Sequence, residues 1–292
     1  MINHSSFDYN EAFSRNLGWF TEAEQQKLRS STVAIAGLGG VGGIHLLTLA
    51  RLGVGRFHIA DFDTFDVANF NRQVGATMST LGQRKLDVLA AQARDINPEI
   101  ELKLFPHGVS AESPDDFLRG ADIYIDGLDF FAFSARRATF SACHRLRIPA
   151  VTAAPLGMGS ALLIFLPDAM SFEEYFRLEG CDETEQALRF LVGLAPAGLH
   201  RPYLVEPSRI NLAARRGPST MIACNLCAGF AAAEGIKLLL GRGDVRAAPW
   251  GLQYDAFRNK LVRTWRPGGN NNPLQRLIMS IGRRQLARKP SA

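Results

Sequence analysis

Five glycines follow a short apolar run near the start of the chain: Gly37, Gly39, Gly40, Gly42 and Gly43. Gly37, Gly39 and Gly42 satisfy the pattern G-x-G-x-x-G, and Gly40 directly follows Gly39. Such glycines let backbone N–H groups approach phosphates at the start of a helix, because no Cβ stands between backbone and ligand. Asp61, at the end of the next apolar run, is placed to accept hydrogen bonds from ribose hydroxyls. A nucleoside triphosphate and a nicotinamide dinucleotide would both suit these residues.

The segment after Asp61 adds positive charge and amide groups. It reads DFDTFDVANFNRQVGATMSTLGQRKLD and contains Asn69, Arg72 and Gln73, with Lys85 further on. Arginine can bind two phosphate oxygens at once, and lysine can add a point charge as pyrophosphate leaves. A dehydrogenase needs little here beyond one ribose-binding acid. The segment therefore favours a polyphosphate, while a dehydrogenase, or Arg72 and Lys85 as plain surface residues, stays open.

Alternating strands and helices must position these residues. An unbroken apolar run predicts a buried strand at 32–37, and VGGIHLLTLARLGVG at 41–55 predicts the helix after the glycines. Further predicted strands lie at 56–63, 100–106, 121–129 and 148–155. Predicted helices lie at 79–95, 111–119, 133–146 and 219–241, and a helical segment at 8–29 precedes them. The order predicts an α/β fold, Rossmann-like and doubly wound, with a mainly parallel sheet. A strand at 160–167 and a hairpin at 251–267 predict an antiparallel extension.

Several motifs together resemble the ThiF/MoeB/HesA family of adenylyltransferases, within the ubiquitin-activating-enzyme-like superfamily. They are GLGGVGG, ADFDTFDVANFNRQ, LGQRKLD, INPEIELKLF and IDGLD, and the resemblance spans roughly 12–167 and 218–265. It implies an enzyme that uses ATP and Mg²⁺ to adenylate the C-terminal carboxylate of a small β-grasp ubiquitin-like or sulfur-carrier protein. Within the same fold, a dehydratase-like enzyme that activates a carboxylate on tRNA, as for threonylcarbamoyladenosine, and a catalytically silent nucleotide-binding subunit remain open. An NAD-dependent oxidoreductase is the alternative from outside the family.

The resemblance also implies roles for single residues. The residues expected to bind ATP are Gly37, Gly39, Gly40, Gly42, Asp61, Asn69, Arg72 and Lys85. Those expected to serve catalysis are Arg72, Lys85, Asp129 and Arg15. Asp129 would hold Mg²⁺, and Arg15 would reach the nucleotide of the other subunit in a homodimer.

The four cysteines bear on metal binding and covalent chemistry. Cys224 and Cys227 form a C-x-x-C pair within a predicted helix, and the chain has no second pair, so we expect buried packing and no structural zinc. Cys181 is the candidate thiol nucleophile because its surroundings are polar. The adjacent Asp182 and Glu183 nevertheless disfavour a thiolate.

Composition divides the chain into three parts. Residues 1–30 are expected to form an N-terminal helical segment, and 31–267 the adenylation domain. Within that domain, residues 168–218 show no sustained periodicity of apolar residues. We expect this segment to be a variable, partly mobile insert that faces the substrate. Residues 268–292 are expected to form a basic amphipathic tail. With 292 residues, no apolar run near the ~20 that a membrane helix needs, and no signal-peptide pattern, the chain is expected to be cytoplasmic.

The positive charge is concentrated at the C-terminus. The chain has a net charge of +5, yet no acidic residue follows Asp255 while nine basic residues do. In the tail, Leu274, Leu277, Ile278 and Ile281 recur at helical spacing and predict one apolar face. We expect a docked helix with a solvated basic face, and binding to RNA, an anionic surface or a protein partner through this tail stays open.

Overall fold

Eight strands form one sheet through the middle of the protein. The structure, a computed structural model, describes residues 7–109, 114–211, 215 and 217–287. The strands are β1 (Thr32–Ala36), β2 (Arg56–Ala60), β3 (Glu101–Phe105), β4 (Ile123–Asp126), β5 (Ala150–Leu156), β6 (Gly159–Phe165), β7 (Trp250–Asp255) and β8 (Lys260–Trp265). Their order is β3-β2-β1-β4-β5-β6-β7-β8, parallel from β3 to β5 and antiparallel from β5 to β8. The predicted parallel sheet with an antiparallel extension is confirmed.

Helices cover both faces of the sheet. The described α-helices are α1 (Tyr9–Ala12), α2 (Glu22–Ser30), α3 (Gly42–Arg51), α4 (Lys85–Ile96), α5 (Asp115–Leu118), α6 (Phe133–Leu146), α7 (Phe172–Phe176), α8 (Glu183–Leu194), α9 (Met221–Leu240) and α10 (Pro273–Ala287). Residues of α3, α4 and α9 build one buried cluster, and those of α6, α7 and α8 build a second. The chain order reverses at β1, which lies between β2 and β4. Such a reversal opens a crevice at the carboxyl ends of the strands.

Among the described residues, α9 is the one helix whose length and apolar composition would allow it to span a membrane. Its most apolar 18-residue window has a mean hydropathy of 1.4, and half of that window is buried inside the protein. The helix packs on α3, β5 and β6. It begins after Thr220, whose hydroxyl accepts the N–H of Ala223, and ends at Gly241, as the sequence predicts. These contacts are those of a core helix.

The N-terminal segment is not one helix over 8–29. Helices α1 and α2 are separated by a 3₁₀ turn at Ser14–Asn16 and a tight turn before Thr21. Thr21 accepts the N–H of Glu24, and the Glu24 carboxylate accepts the N–H of Thr21 at 2.8 Å. This capping box starts a new helix at a point where the sequence predicts that one helical segment continues.

The first half of the predicted insert belongs to the core. Phe172, Tyr175 and Phe176 of α7 and Phe190 of α8 are almost fully buried. Their rings pack on each other, with the centroids of Phe176 and Phe190 4.9 Å apart. This part of the segment is therefore packed in the core, because its aromatic residues fill the second cluster although they show no regular hydrophobic spacing. The expectation of a variable, partly mobile, substrate-facing insert stays a prediction. Residues 212–214 and 216 of the predicted insert, like 111–113 of a predicted helix, lie outside the described residues.

The tail forms the expected helix but turns a different face to the protein. Helix α10 packs on α8 through Met279, which is 4% exposed, with Ile278 and Leu286 beside it. Three of the four predicted contact residues are instead exposed: Leu274, Leu277 and Ile281. The buried Gln275 explains the shift, since its amide donates to the Val192 carbonyl at 3.0 Å and orients the helix. Arg288 and Lys289 lie outside the described residues.

We expect Phe190→Ala to lower the free energy of unfolding by about 3–5 kcal/mol, because it opens a cavity among packed rings. Val205→Ala is the control, since Val205 is 89% exposed in the same segment and its truncation should change stability by less than about 0.5 kcal/mol. Urea unfolding of both variants measures the difference. Equal stabilities would contradict the placement of α8 in the core.

Candidate functional site

The glycine loop is pressed against the end of β4. It runs from Gly37, with a φ of +83°, to Gly42, where α3 begins. A Cβ on Gly42 would overlap the Gly37 carbonyl, and a Cβ on Gly37 would overlap the carbonyl of Gly127. Among the described residues, the N–H groups of residues 39–42 have no protein acceptor. The loop therefore offers donors at the positive end of α3, where anions are stabilised.

Asp61 holds this loop in place. It follows β2, is 8% exposed, and accepts the N–H of Leu38 at 2.6 Å and that of Asp63 at 2.8 Å. Burial raises the pKa of its carboxyl, while the two backbone N–H groups and the charge of Lys85 oppose that rise. Each carboxylate oxygen keeps acceptor capacity, so the predicted ribose contact remains compatible with this position.

Lys85 lies beside Asp61 as the first residue of α4. It is 5% exposed, and its Nζ donates to the Asp63 carboxylate at 3.0 Å. Asp63 was not predicted from the sequence, although the DFD pattern places two carboxylates on the same side of the chain. An almost buried ammonium with one partially exposed partner can turn toward an incoming phosphate.

Arg72 and Gln73 flank the other side of the loop. A Cβ on Gly40 would lie 3.7 Å from Arg72 Cγ, and one on Gly39 would lie 3.7 Å from Gln73 Nε2. One arm of the Arg72 guanidinium donates to the carbonyl of Ala68 at 2.7 Å. Gln73 is 7% exposed, and its Oε1 has no partner among the described residues. A buried polar atom left without a partner beside free N–H groups indicates a site for a polar ligand.

Asn69 supports the same segment. Its Oδ1 accepts the N–H of Asp66 at 3.0 Å and closes a 3₁₀ turn at Val67–Asn69. The chain continues through this turn to Arg72, whose N–H bonds to the Asn69 carbonyl at 3.1 Å. The side-chain amide nitrogen of Asn69 remains available to a ligand within the described structure.

Asp129 lies in a loop whose carbonyl groups accept hydrogen bonds from Arg136. Arg136 of α6 is 2% exposed and donates to the Asp126 carboxylate at 2.8 Å. It also donates to the carbonyls of Leu128, Phe130 and Asp129 itself at 2.7–3.1 Å. Arg136 was not predicted from the sequence, where the available signal was an arginine among the apolar residues of FSARRATF.

The carboxylate of Asp129 is suited to a hydrated magnesium ion. It is exposed at the crevice, and one oxygen accepts the N–H of Phe131 at 2.9 Å. The described residues include no group of three or more histidine, cysteine or acidic residues that could hold a metal. Mg²⁺ is commonly bound by one or two carboxylates together with substrate phosphates and water, so a single carboxylate here fits that ion.

Arg15 is not brought to the crevice within one chain. The next residue, Asn16, donates to the carbonyl of Leu52 at 3.2 Å, and Leu52 caps the far end of α3. The ten residues of α3 separate that end from the glycine loop by about 15 Å. A role for Arg15 at the nucleotide would therefore need a second subunit.

The two acidic residues that follow Cys181 each have a partner of their own. Arg215 bonds to Glu183 at 2.7 Å, two residues after Cys181, and the charge of Asp129 acts on Arg215. Asp182 uses its carboxylate to cap α8, where it accepts the N–H of Glu185. The two acids next to the thiol are thus engaged with other groups, which weakens the argument against Cys181 as a nucleophile.

Cys224 and Cys227 are fully buried in α9. The thiol of Cys227 donates to the Ser160 hydroxyl at 3.2 Å, and burial raises the pKa of both thiols. A Cβ on Gly40 would lie 3.1 Å from Cys224 Sγ, so this cysteine packs directly beneath the glycine loop. The pair acts as small packing residues in the described structure.

Comparisons with known proteins show which family the chain resembles. The model of the ThiF family matches residues 13–277. The chain is 38% identical over 152 residues to the tRNA threonylcarbamoyladenosine dehydratase of Bacillus subtilis (strain 168), covering 51% of this chain and 57% of that protein. It is 34% identical over 143 residues to the sulfur carrier protein ThiS adenylyltransferase of Escherichia coli (strain K12), covering 49% and 56%. These matches span little more than half the length of each relative.

A solved structure shares the fold across most of the chain. Escherichia coli MccB with ATP superposes with a TM-score of 0.67 at 20% identity, covering 88% of this chain and 72% of that one. At this identity the likeness concerns the fold alone. The family match over most of the sequence is the stronger finding, and the chain belongs to the ThiF family.

Proposed function

We propose that this protein activates a carboxylate by adenylation with ATP. The observation that supports it most is the crevice at β1, β2 and β4. There the glycine loop, whose N–H groups have no acceptor among the described residues, lies between Arg72 and the segment that leads to Asp129, and Asp61 with Lys85 beside it holds the loop. The substrate proposed first is the C-terminal carboxylate of a ubiquitin-like or sulfur-carrier protein. A relative named as an adenylyltransferase of a sulfur carrier supports this choice.

In the proposed reaction, a carboxylate oxygen attacks the α-phosphorus of ATP. The bond from that phosphorus to the α–β bridging oxygen breaks, and the electron pair leaves with pyrophosphate. The loop N–H groups and Arg72 would fix the phosphates in line, and Lys85 would stabilise the leaving charge. Mg²⁺ held by Asp129 would neutralise phosphate charge. No general base is needed, because the attacking carboxylate is already ionised.

A carboxylate carried on tRNA is the second candidate substrate. The similarity to a tRNA threonylcarbamoyladenosine dehydratase supports it, as do the arginines gathered around α10. Exchange of labelled pyrophosphate into ATP separates the two candidates. Exchange that requires a carrier protein ending in Gly-Gly supports the first, and exchange that requires tRNA supports the second. Nicotinamide dinucleotide binding without ATP binding would contradict both.

We expect Arg72→Ala and Asp129→Ala each to lower the rate of this exchange by about 100-fold or more, because each removes a charge that stabilises the transition state. Asp95→Asn, an exposed carboxylate at the end of α4, is the control and should leave the rate unchanged. Full activity in both site variants would show that the reaction occurs elsewhere.

We expect Gly42→Ala to abolish measurable ATP binding, because the added Cβ would collide with the Gly37 carbonyl and force the loop apart. Gly229→Ala, in α9, is the matched control, since nothing lies within 4 Å of its added Cβ. Calorimetric titration measures ATP binding by both variants. Urea unfolding shows whether each variant is folded, so that lost binding can be told from lost folding. Wild-type affinity in a folded Gly42→Ala variant would contradict the assignment of the loop.

The proposal includes a homodimer in the cytoplasm, in which Arg15 acts across the subunit interface. We expect Arg15→Ala and Asp129→Ala chains to be nearly inactive alone, and their purified mixed dimer to regain about half of wild-type exchange, because one of its two sites is intact in a two-fold dimer. Two different affinity tags isolate the mixed dimer. No recovery in that dimer would contradict a role for Arg15 in the partner's site.

A further inference from the structure

A pocket of about 660 Å³ lies outside the nucleotide crevice, between α8 and α10. Four arginines line it: Arg177 after α7, Arg189 in α8, and Arg276 and Arg283 in α10. The side chains of Asn271 and Ser280 add neutral hydrogen-bonding groups. Within the described part of the chain, no aromatic side chain lines it. A pocket of this size is larger than one phosphate group and comparable to ordinary ligand sites.

The pocket carries excess positive charge. Glu185 is the carboxylate that pairs with its arginines, and it is shared by Arg189 at 2.6 Å and Arg283 at 2.5 Å. Those two guanidinium groups lower the pKa of Glu185, so it is ionised at neutral pH. Within the described part of the chain, Arg177 and Arg276 have no carboxylate within 4.0 Å.

Acidic groups near Arg177 are already engaged by other residues. Glu173 pairs with Arg137 at 2.8 Å, and Glu174 accepts the N–H of Ser171 at 2.7 Å as part of the cap of α7. Two guanidinium groups thus face the pocket with their hydrogen-bond donors available. Guanidinium groups bind phosphate oxygens in pairs, which lysine does not do.

The walls of the pocket are fixed by buried polar contacts. Asn270 is 2% exposed and donates to the carbonyls of Phe176 and Arg189 at 2.8 and 2.9 Å. Gln275, fully buried, donates to the Val192 carbonyl. These bonds connect α7, α8 and α10, so the four arginines are held around one space before any ligand binds.

The positive charge continues along α10 beyond the pocket. Arg276, Arg283 and Arg284 recur over eight residues of the helix, a rise of about 12 Å. A row of arginines of this length can contact successive phosphates of one nucleic-acid strand. Guanidinium groups without aromatic side chains suit a sugar–phosphate backbone better than unstacked bases, which are usually bound on rings.

We infer that this arginine pocket binds the phosphate backbone of RNA. The inference deepens the second candidate function and rests on it for the reaction that such binding would serve. Binding itself is independent of ATP, because the pocket and the glycine loop are built from different residues.

The test uses the full-length protein and a fluorescein-labelled tRNA transcript, with anisotropy measured from 50 to 200 mM salt. We expect Arg177→Ala/Arg276→Ala to weaken binding about 30-fold near 0.1 M salt and to reduce the slope of log affinity against log salt by about 1.5, as for two lost phosphate contacts. Neither substitution breaks an ion pair within the described structure, so folding should persist, and urea unfolding checks it. The control, Arg51→Ala/Arg94→Ala, removes the same charge from exposed arginines of α3 and α4.

Three outcomes would overturn the inference: no tRNA binding by the wild type at 50 mM salt, equal losses in the two double variants, or displacement of tRNA by polyglutamate as effectively as by unlabelled tRNA. The last would assign the pocket to an acidic protein segment. Calorimetric ATP titration, measured with every variant in the absence of tRNA, separates this test from that of the adenylation site. Lost tRNA binding with intact ATP binding would leave the proposed nucleotide site standing, and the reverse result would leave the pocket standing.

Discussion

The buried ion pair between Asp126 and Arg136 determines the shape of the crevice. Both side chains are no more than 3% exposed, and Thr152 and Tyr124 also donate to the Asp126 carboxylate. Removing one member of such a pair typically costs about 3–5 kcal/mol, because the other charge is left without compensation. Arg136 then uses its remaining donors on three carbonyls of the loop that carries Asp129. The position of the proposed magnesium ligand, Asp129, thus depends on an arginine that binds its main-chain carbonyl.

The same arginine connects the site to the rest of the protein. Its guanidinium lies 4.7 Å from the ring centroid of Phe190, so α8 packs directly on it. Asp126 belongs to β4, and Gly127 immediately after it receives the glycine loop at close range. The glycine loop, the Asp129 loop and the aromatic cluster therefore meet around two adjacent residues. If the crevice binds ATP as proposed, we expect a substitution in α8 to alter that binding through this contact.

Local patterns predicted the sheet and the loop well. The apolar runs, the glycine spacing and Asp61 each act through neighbours in sequence, so their positions could be inferred from chain order. Arg136, Asp63 and Gly127 were missed because their importance arises from contacts made only in three dimensions. The burial of the α7–α8 aromatics and the docking face of α10 were not predicted, for a related reason: Gln275 is polar, and only its bond to Val192 shows that it faces inward.

The most direct measurement is a crystal structure with a non-hydrolysable ATP analogue and Mg²⁺. We expect the phosphates to accept from the N–H groups of residues 39–42, with Arg72 and Lys85 within hydrogen-bond distance and the ion on Asp129. The Gln73 oxygen, which has no partner in the described structure, should gain one directly or through ordered water. A nucleotide bound away from this loop, or a crevice that accepts a nicotinamide dinucleotide and not the ATP analogue, would contradict the proposed adenylation site.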